Sequence, residues 1–273
     1  MPRSRLASVV LVLSAAGSAL AQTRPLQTEE ATTAAAGRIA LEAGATVMAK
    51  ERSFLGGSQR TRSDVPTLDL VYSPSDNVEI DIAWAGRVIA VKDPTFGTVS
   101  DWGDVTLRAK VRLAQNAKGD SALAARFTVS LPETNQAKGL GPNTLRIAVQ
   151  VLATKTAGKA TLHANLGLAI HDEVFAPHAQ NDLVAYGVAA ERPLGERFTL
   201  LAEVAGRSGS GEAVIDHTHE ARVGVRRAGA RVSWDAAVRR GLSDSDGGWG
   251  FTGGVTWTVR PARVPTNELP ANE

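Results

Sequence analysis

The sequence predicts an all-β fold: a transmembrane antiparallel up-and-down β-barrel of about 12 strands, within bounds of about 10 to 14. Three observations predict it: an amino-terminal export signal on a chain without cysteine, apolar and polar side chains alternating with a period of two, and turn clusters that are short and long by turns. Composition sets the limits. With 273 residues, 43% hydrophobic and 21% charged, and a mean hydropathy of -0.09, the chain is neither a helical membrane bundle nor globally disordered. Lys and Arg total 30 against 28 Asp and Glu, too small an excess to recruit a nucleic acid by bulk charge.

Residues 1–21 read as a cleaved signal peptide. Arg3 and Arg5 form the basic start, Leu6 to Leu13 the apolar stretch, and Ala19-Leu20-Ala21 the small-residue cleavage site, so Gln22 begins the mature chain. The apolar stretch ends in Ser14, Gly17 and Ser18, short of the roughly 20 apolar residues a membrane anchor needs. Losing Arg3 and Arg5 leaves 28 cations against 28 anions. An exported chain with no cysteine has no disulfides to hold it, so a core or closed strand pairing must.

Residues 22–37 are a polar lead-in and 38–260 the barrel. Ile39 to Val47 and Leu68 to Tyr72 are weakly patterned runs. Val78, Ile80, Ile82 and Trp84 then oppose Glu79 and Asp81. Val105, Leu107, Ala109, Val111 and Leu113 oppose Thr106, Arg108, Lys110 and Arg112; a helix through these residues would scatter the three cations among Val and Leu. Leu123 to Leu131 sets Phe127 and Val129 against Arg126 and Thr128, and Leu145 to Val151 opposes Arg146 and Gln150. Leu162 to Ile170 faces away from His163, Asn165 and His171, and Leu183 to Ala190 is a further weak run. Phe198 to Val204 opposes Thr199 and Glu203, and Val223 and Val225 oppose Arg222 and Arg226. Val232 to Val238 opposes Arg231, Ser233, Asp235 and Arg239, and Phe251, Val255 and Trp257 oppose three threonines. Residues 261–273 form a Pro-rich polar tail.

Alternation suits either a soluble barrel with its apolar face inward or an outer-membrane barrel with that face on lipid. Runs long enough to cross a bilayer at a tilt, abundant Ala on the apolar face, and loops that alternate between short and long favour the membrane solution, while Trp84, Trp234 and Trp257 within or at the ends of runs fit an interface girdle and a packed core equally well. A soluble periplasmic barrel binding a hydrophobic ligand and a purely structural envelope protein are the alternatives.

DWGDVTLRAKVRL (101–113), FTVSLPETNQAKGLGPNTLRIAVQVLATK, ATLHANLGLAI and AVRRGLSDSDGGWGFTGGVTWTV, in that order, resemble the outer-membrane transporter family named for the MetA pathway of phenol degradation; TEEA with RIALEAG is a weaker echo. The resemblance covers most of the mature chain and implies a Gram-negative outer-membrane barrel that passes small, often aromatic or hydrophobic, solutes. It also implies insertion by the barrel-assembly machinery into outer-membrane lipid. Two features depart from the family: PETNQ lacks the Gly-Asp that often follows its Thr, and the last strand does not end the chain on an aromatic residue.

No catalytic set, metal site or cofactor is expected. GRSGSGEA (206–213) has Glu212 where a phosphate loop needs Lys, and His219-Glu220 has Val223 at the second histidine position of a zinc-protease motif. Asp216, His217, His219 and Glu220 read as a polar loop and strand start. The candidate functional residues are those on the inward face: Arg108, Lys110, Arg112, Arg126, Arg146, His163, Asn165, Glu203, Arg222, Arg226, Asp235 and Arg239. With Arg231, the inward cations outnumber the inward acids Glu42, Asp69, Glu79, Asp81, Glu203 and Asp235, which predicts a cation-rich lumen. A leucine at Lys110 should on this basis cost far less than an arginine at Leu107. Edman sequencing of the exported protein should begin at Gln22; a chain that still begins at Met1 overturns the export reading.

Overall fold

The computed structural model describes residues 24–53, 55, 57–176, 178–209, 217–243 and 246–259. The cleavage site and the 261–273 tail lie outside them.

Among the described residues the chain forms β1 (Ile39–Arg52), β2 (Gln59–Ser75), β3 (Val78–Ala85), β4 (Val88–Asp93), β5 (Gly97–Asp101), β6 (Val105–Gln115) and β7 (Ser121–Leu131). A short 3-10 turn over Gln136–Lys138 precedes β8 (Arg146–Ala157), β9 (Ala160–Asp172), β10 (Gln180–Leu194), β11 (Phe198–Gly209), β12 (Thr218–Arg227), β13 (Val232–Gly241) and β14 (Trp249–Val259). Every pairing is antiparallel, and β1 bonds both β14 and β2, which closes a barrel of 12 strands.

The remaining two strands, β4 and β5, extend that wall. β3 pairs with the second half of β2 (Thr67 with Ala85) and β4 with its first half (Asp64 with Val88), so β3 and β4 run as one line broken at Gly86 and Arg87. β5 and β6 return in the same way, broken at residues 102–104. Neither β4 nor β5 was expected, and only Leu68 to Tyr72 of β2 was. The reason is local: QRTRSDVPT at the start of β2 and GTVSD in β5 carry polar residues on both faces, which erases the alternation that marks a strand with one apolar side.

Elsewhere the period-two reading holds in side-chain exposure. In β9, Leu162, Leu166, Leu168 and Ile170 are exposed while His163, Asn165 and His171 are buried; Leu168 is 65% exposed. Ile80, Ile82, Leu107, Val111, Phe127, Val149, Val188 and Val204 continue an exposed apolar band around the outside. Trp234, Trp257, Tyr72 and Phe198 border it at one end, Trp102 and Trp249 at the other. The first end carries the short turns, such as 76–77, 158–159 and 195–197; the second carries longer connections, such as 132–145.

The polar side faces inward, but not uniformly. Ala122, Ala124, Leu152, Ala189 and Leu201 stand buried on the inner wall, where they cradle residues of the lead-in: Ala31 packs with Ala122, Ala124 and Leu152, and Leu26 with Ala189 and Leu201. A long Arg at an outward midplane position sets an ion in hydrocarbon. For a site near the bilayer midplane, Leu107→Arg should therefore lower folding stability in lipid by about 2–4 kcal/mol, read from urea-driven loss of the heat-modifiable band on SDS gels; an unchanged midpoint would place Leu107 away from the hydrocarbon centre.

Candidate functional site

The lumen is built around residues 24–34, and residues 35–38 lead from them to β1 at the short-turn rim. There Gly37 N–H donates to Ser73 C=O at 2.7 Å and Ser73 N–H to Arg38 C=O at 3.0 Å; deeper in the lumen, wall side chains supply the segment's hydrogen bonds. Gln27 N–H donates to Glu203 Oε1 at 2.9 Å and Oε2 at 3.0 Å, and Thr28 N–H to Oε2 at 2.8 Å. Ala31 N–H donates to Thr154 Oγ1 at 2.8 Å, Ala34 N–H to Glu79 Oε1 at 2.6 Å, and Ala36 N–H to Asp76 Oδ1 at 2.8 Å. Asp76 lies in the short turn after β2, so the segment enters from the short-turn end and reaches mid-barrel at Arg24. Gly187 leaves the room that Thr28 fills: a Cβ there would overlap its hydroxyl.

Charge pairing does the rest. Lys110, 1% exposed, sets its ammonium 2.9 Å from Glu29 of the plug and 2.5 Å from Glu79 of the wall. Arg126 binds the same Glu29 carboxylate and Gln150. Asn165, its amide turned so that the oxygen meets Glu29 N–H at 2.8 Å and the nitrogen Glu29 C=O at 2.9 Å, grips the plug backbone. Arg222 donates to Pro25 C=O at 2.6 Å and binds Glu220; Arg239 binds that same carboxylate. Arg226 reaches Arg24 C=O at 2.7 Å and Glu191 at 3.2 Å. Arg108 bridges Asp69 and Asp81, and Asp235 stands 3.4 Å from Arg24. His163 Nδ1 meets Thr154 Oγ1 at 2.9 Å, with Glu191 3.9 Å from its Nε2.

Two expected lumen residues lie elsewhere. Arg112 is at the short-turn rim, donating to Asp76 C=O and bound to Gln115, because its place in β6 is level with the 76–77 turn, where its N–H donates to Asn77 C=O at 2.8 Å. Arg231 is exposed in the turn before β13, which begins one residue later. The cation-rich lumen does not stand either. Glu29, Glu51, Asp64, Asp104, Glu191 and Glu220, unassigned by alternation, oppose the arginines. The unbalanced count was itself the signal: cations without acids on the wall call for acids from elsewhere, and TEEA supplies Glu29. A leucine at Lys110 is correspondingly no mild change, since it strands two buried carboxylates. Among the described residues no group of three or more His, Asp or Glu could hold a metal ion; Asp216 lies outside them.

Above the plug, toward the longer connections, a cavity of about 400 Å³ is bounded by Met48, Arg60, Arg62, Leu140, Glu220 and Arg239. The 132–145 connection forms its cover, tied by Arg60 to Gly139 C=O (2.7 Å) and by Arg62 to Leu140 C=O (3.1 Å). Leu140 packs on Val88 and Ala90 of β4. Asp104, between β5 and β6, accepts from the N–H groups of Glu133 (3.0 Å) and Thr134 (2.9 Å) and binds Arg146.

No family profile and no curated protein sequence matches the chain. The fold has solved relatives. An outer membrane channel from Pseudomonas putida F1 superposes with a TM-score of 0.65 at 16% identity, covering 84% of this chain and 97% of that one. The translocator domain of the autotransporter NalP from Neisseria meningitidis follows at 0.49 and 12%, covering 81% and 88%. At such identity the first likeness establishes the architecture.

Two outcomes test the site. Lys110→Met should destabilise the barrel by about 3–5 kcal/mol, since it leaves buried carboxylates unpaired, and the paired change Lys110→Met with Glu29→Gln should recover part of that in a double-mutant cycle; additive costs would break the pairing. Burial pushes the Asp104 carboxyl up, but Arg146 and the Glu133 and Thr134 N–H groups outweigh it and hold the group below the usual aspartate range. Its contribution is therefore complete above the unfolded value of about 3.9 and lost as pH falls through the lower folded value. Hydrogen exchange in 132–145 should rise only in that acid window, and Asp104→Asn should raise it at neutral pH.

Proposed function

We propose that the chain is an outer-membrane channel of a Gram-negative envelope, a transporter of the MetA-pathway type for small solutes, aromatic or hydrophobic ones among them. The single observation that carries this reading is the inversion of the wall: exposed aliphatic side chains on the outward face of each of the 12 strands of the closed ring and ionised ones inside. A water-soluble barrel would have no solvent for that band, whereas lipid hydrocarbon bordered by Trp and Tyr at the headgroup level accepts it. The likeness to the Pseudomonas putida channel supports the same conclusion. Twelve strands enclose more than the eight whose interior side chains fill and less than the sixteen of wide aqueous porins; here the plug occupies much of that width.

The reading makes the plug the determinant of conductance. Reconstituted in planar bilayers and in liposomes, the intact chain should conduct weakly, and a chain lacking residues 22–36 should show larger unitary currents and faster swelling with small solutes. If neither form conducts or swells while unheated samples still run as folded barrels, the structural-envelope alternative stands instead. Recovery of the protein in the soluble periplasm would favour the ligand-binding barrel.

A further inference from the structure

Arg24 occupies a seat that the wall has shaped for a guanidinium and that Arg24 does not fill. The paired residues Gly44 and Gly254 of β1 and β14 lack side chains where it lies: a Cβ on Gly44 would overlap its guanidinium carbon, and one on Gly254 would come within 2.7 Å of its nitrogens. Arg24 Nη1 donates to Thr67 Oγ1 at 3.1 Å and Nη2 to Thr252 Oγ1 at 3.3 Å. Around it stand more acceptors than it satisfies. Glu42 is 2% exposed, and its Oε1 has no hydrogen-bond partner among the described residues. The same holds for Asp69 Oδ1 and for both carboxylate oxygens of Asp235, which has Arg24 Nε at 3.4 Å without an aligned bond. Arg108 is committed to Asp69 and Asp81. Four carboxylates thus share two guanidiniums.

A cavity of about 280 Å³ opens beside this seat, with Glu42, Asp69 and Arg24 among its polar lining and Leu26, Ala83 and Ala85 among its apolar lining. Unfilled buried acceptors lose a large part of their hydration without replacement, so the seat favours a group with several N–H donors and a positive charge. A bare metal ion suits it poorly, since two arginines already border it. The juxtaposed apolar lining favours a carbon body on that group.

We propose that this cavity binds a small organic monocation, a primary amine or guanidine with an apolar body, and that Arg24 of the plug is its internal competitor. The ammonium takes the acceptors of Glu42 and Asp69, and the apolar body lies against Leu26, Ala83 and Ala85. This rests on the channel reading only in that a ligand must reach the lumen, and binding is measured apart from conduction.

The test uses the full-length protein in detergent, with folding checked by heat-modifiable mobility. Calorimetric titration compares 2-phenylethylamine with its neutral counterpart 2-phenylethanol and with the anion 3-phenylpropionate. Arg24→Ala should bind the amine about tenfold or more tightly than the unaltered protein, as removal of a competing buried charge requires, and should prefer it to the alcohol and the acid. Glu42→Gln in the Arg24→Ala background should lose that preference by a similar factor, while Glu173→Gln, on a distant connection, should not. Equal binding of amine and alcohol would reduce the site to an apolar cavity and overturn the proposal. So would amine binding that is indifferent to both substitutions, or none in a folded Arg24→Ala protein. Conductance through the plugless chain without amine binding would reject this site and leave the channel reading intact.

Discussion

The ammonium of Lys110, held between Glu79 on the wall and Glu29 on the threaded segment, is the contact on which the interior depends. A lysine so enclosed keeps its charge only if acids stand beside it, and wall alternation alone provides just one directly paired with it, Glu79. The second comes from residues that precede the barrel. Once Glu29 is fixed there, Asn165 can grip its backbone, Glu203 can receive Gln27 and Thr28, and Arg222 can reach Pro25. The plug is thus bound less by packing than by the wall's demand for counter-charge, with small apolar seats at Ala124 and Leu201 setting its register.

How much of this the sequence made legible follows from what each face of the wall meets. Where one side meets hydrocarbon and the other charge, as in β6 and β9, period two survives intact and both the strand and its inward residues can be read. Where both faces are polar, as in the first half of β2 and in β5, the same backbone leaves no pattern. Lys110, Arg126, Asn165 and Glu203 were legible as inward residues, but not their partners, because a side chain's direction follows from its strand while its contact with an irregular segment follows from the whole ring. Leu152 and Leu201 show the limit from the other side: apolar residues on the polar face mark where the plug packs, a signal visible only once the face assignment is trusted over hydrophobicity.

The wall and the plug shape the interior in different ways. The ring fixes width and orientation, and its break at Gly86, Arg87 and residues 102–104 carries the β4–β5 extension that supports the cover over the outer cavity. The plug divides what remains into compartments of different character: an outer cavity ringed by arginine pairs, and an inner one that sets carboxylates against Leu26, Ala83 and Ala85. Neither compartment resembles a uniform aqueous bore, so a solute crossing the lumen would meet a sequence of distinct environments.

Having the first described residues inside the ring also ties the seam to its contents. β1 and β14, the strands whose pairing closes the wall, are the same two that present Gly44 and Gly254 to Arg24. A side chain at either glycine would collide with the guanidinium, so the join that completes the cylinder is also the place where the cylinder makes room for what it holds.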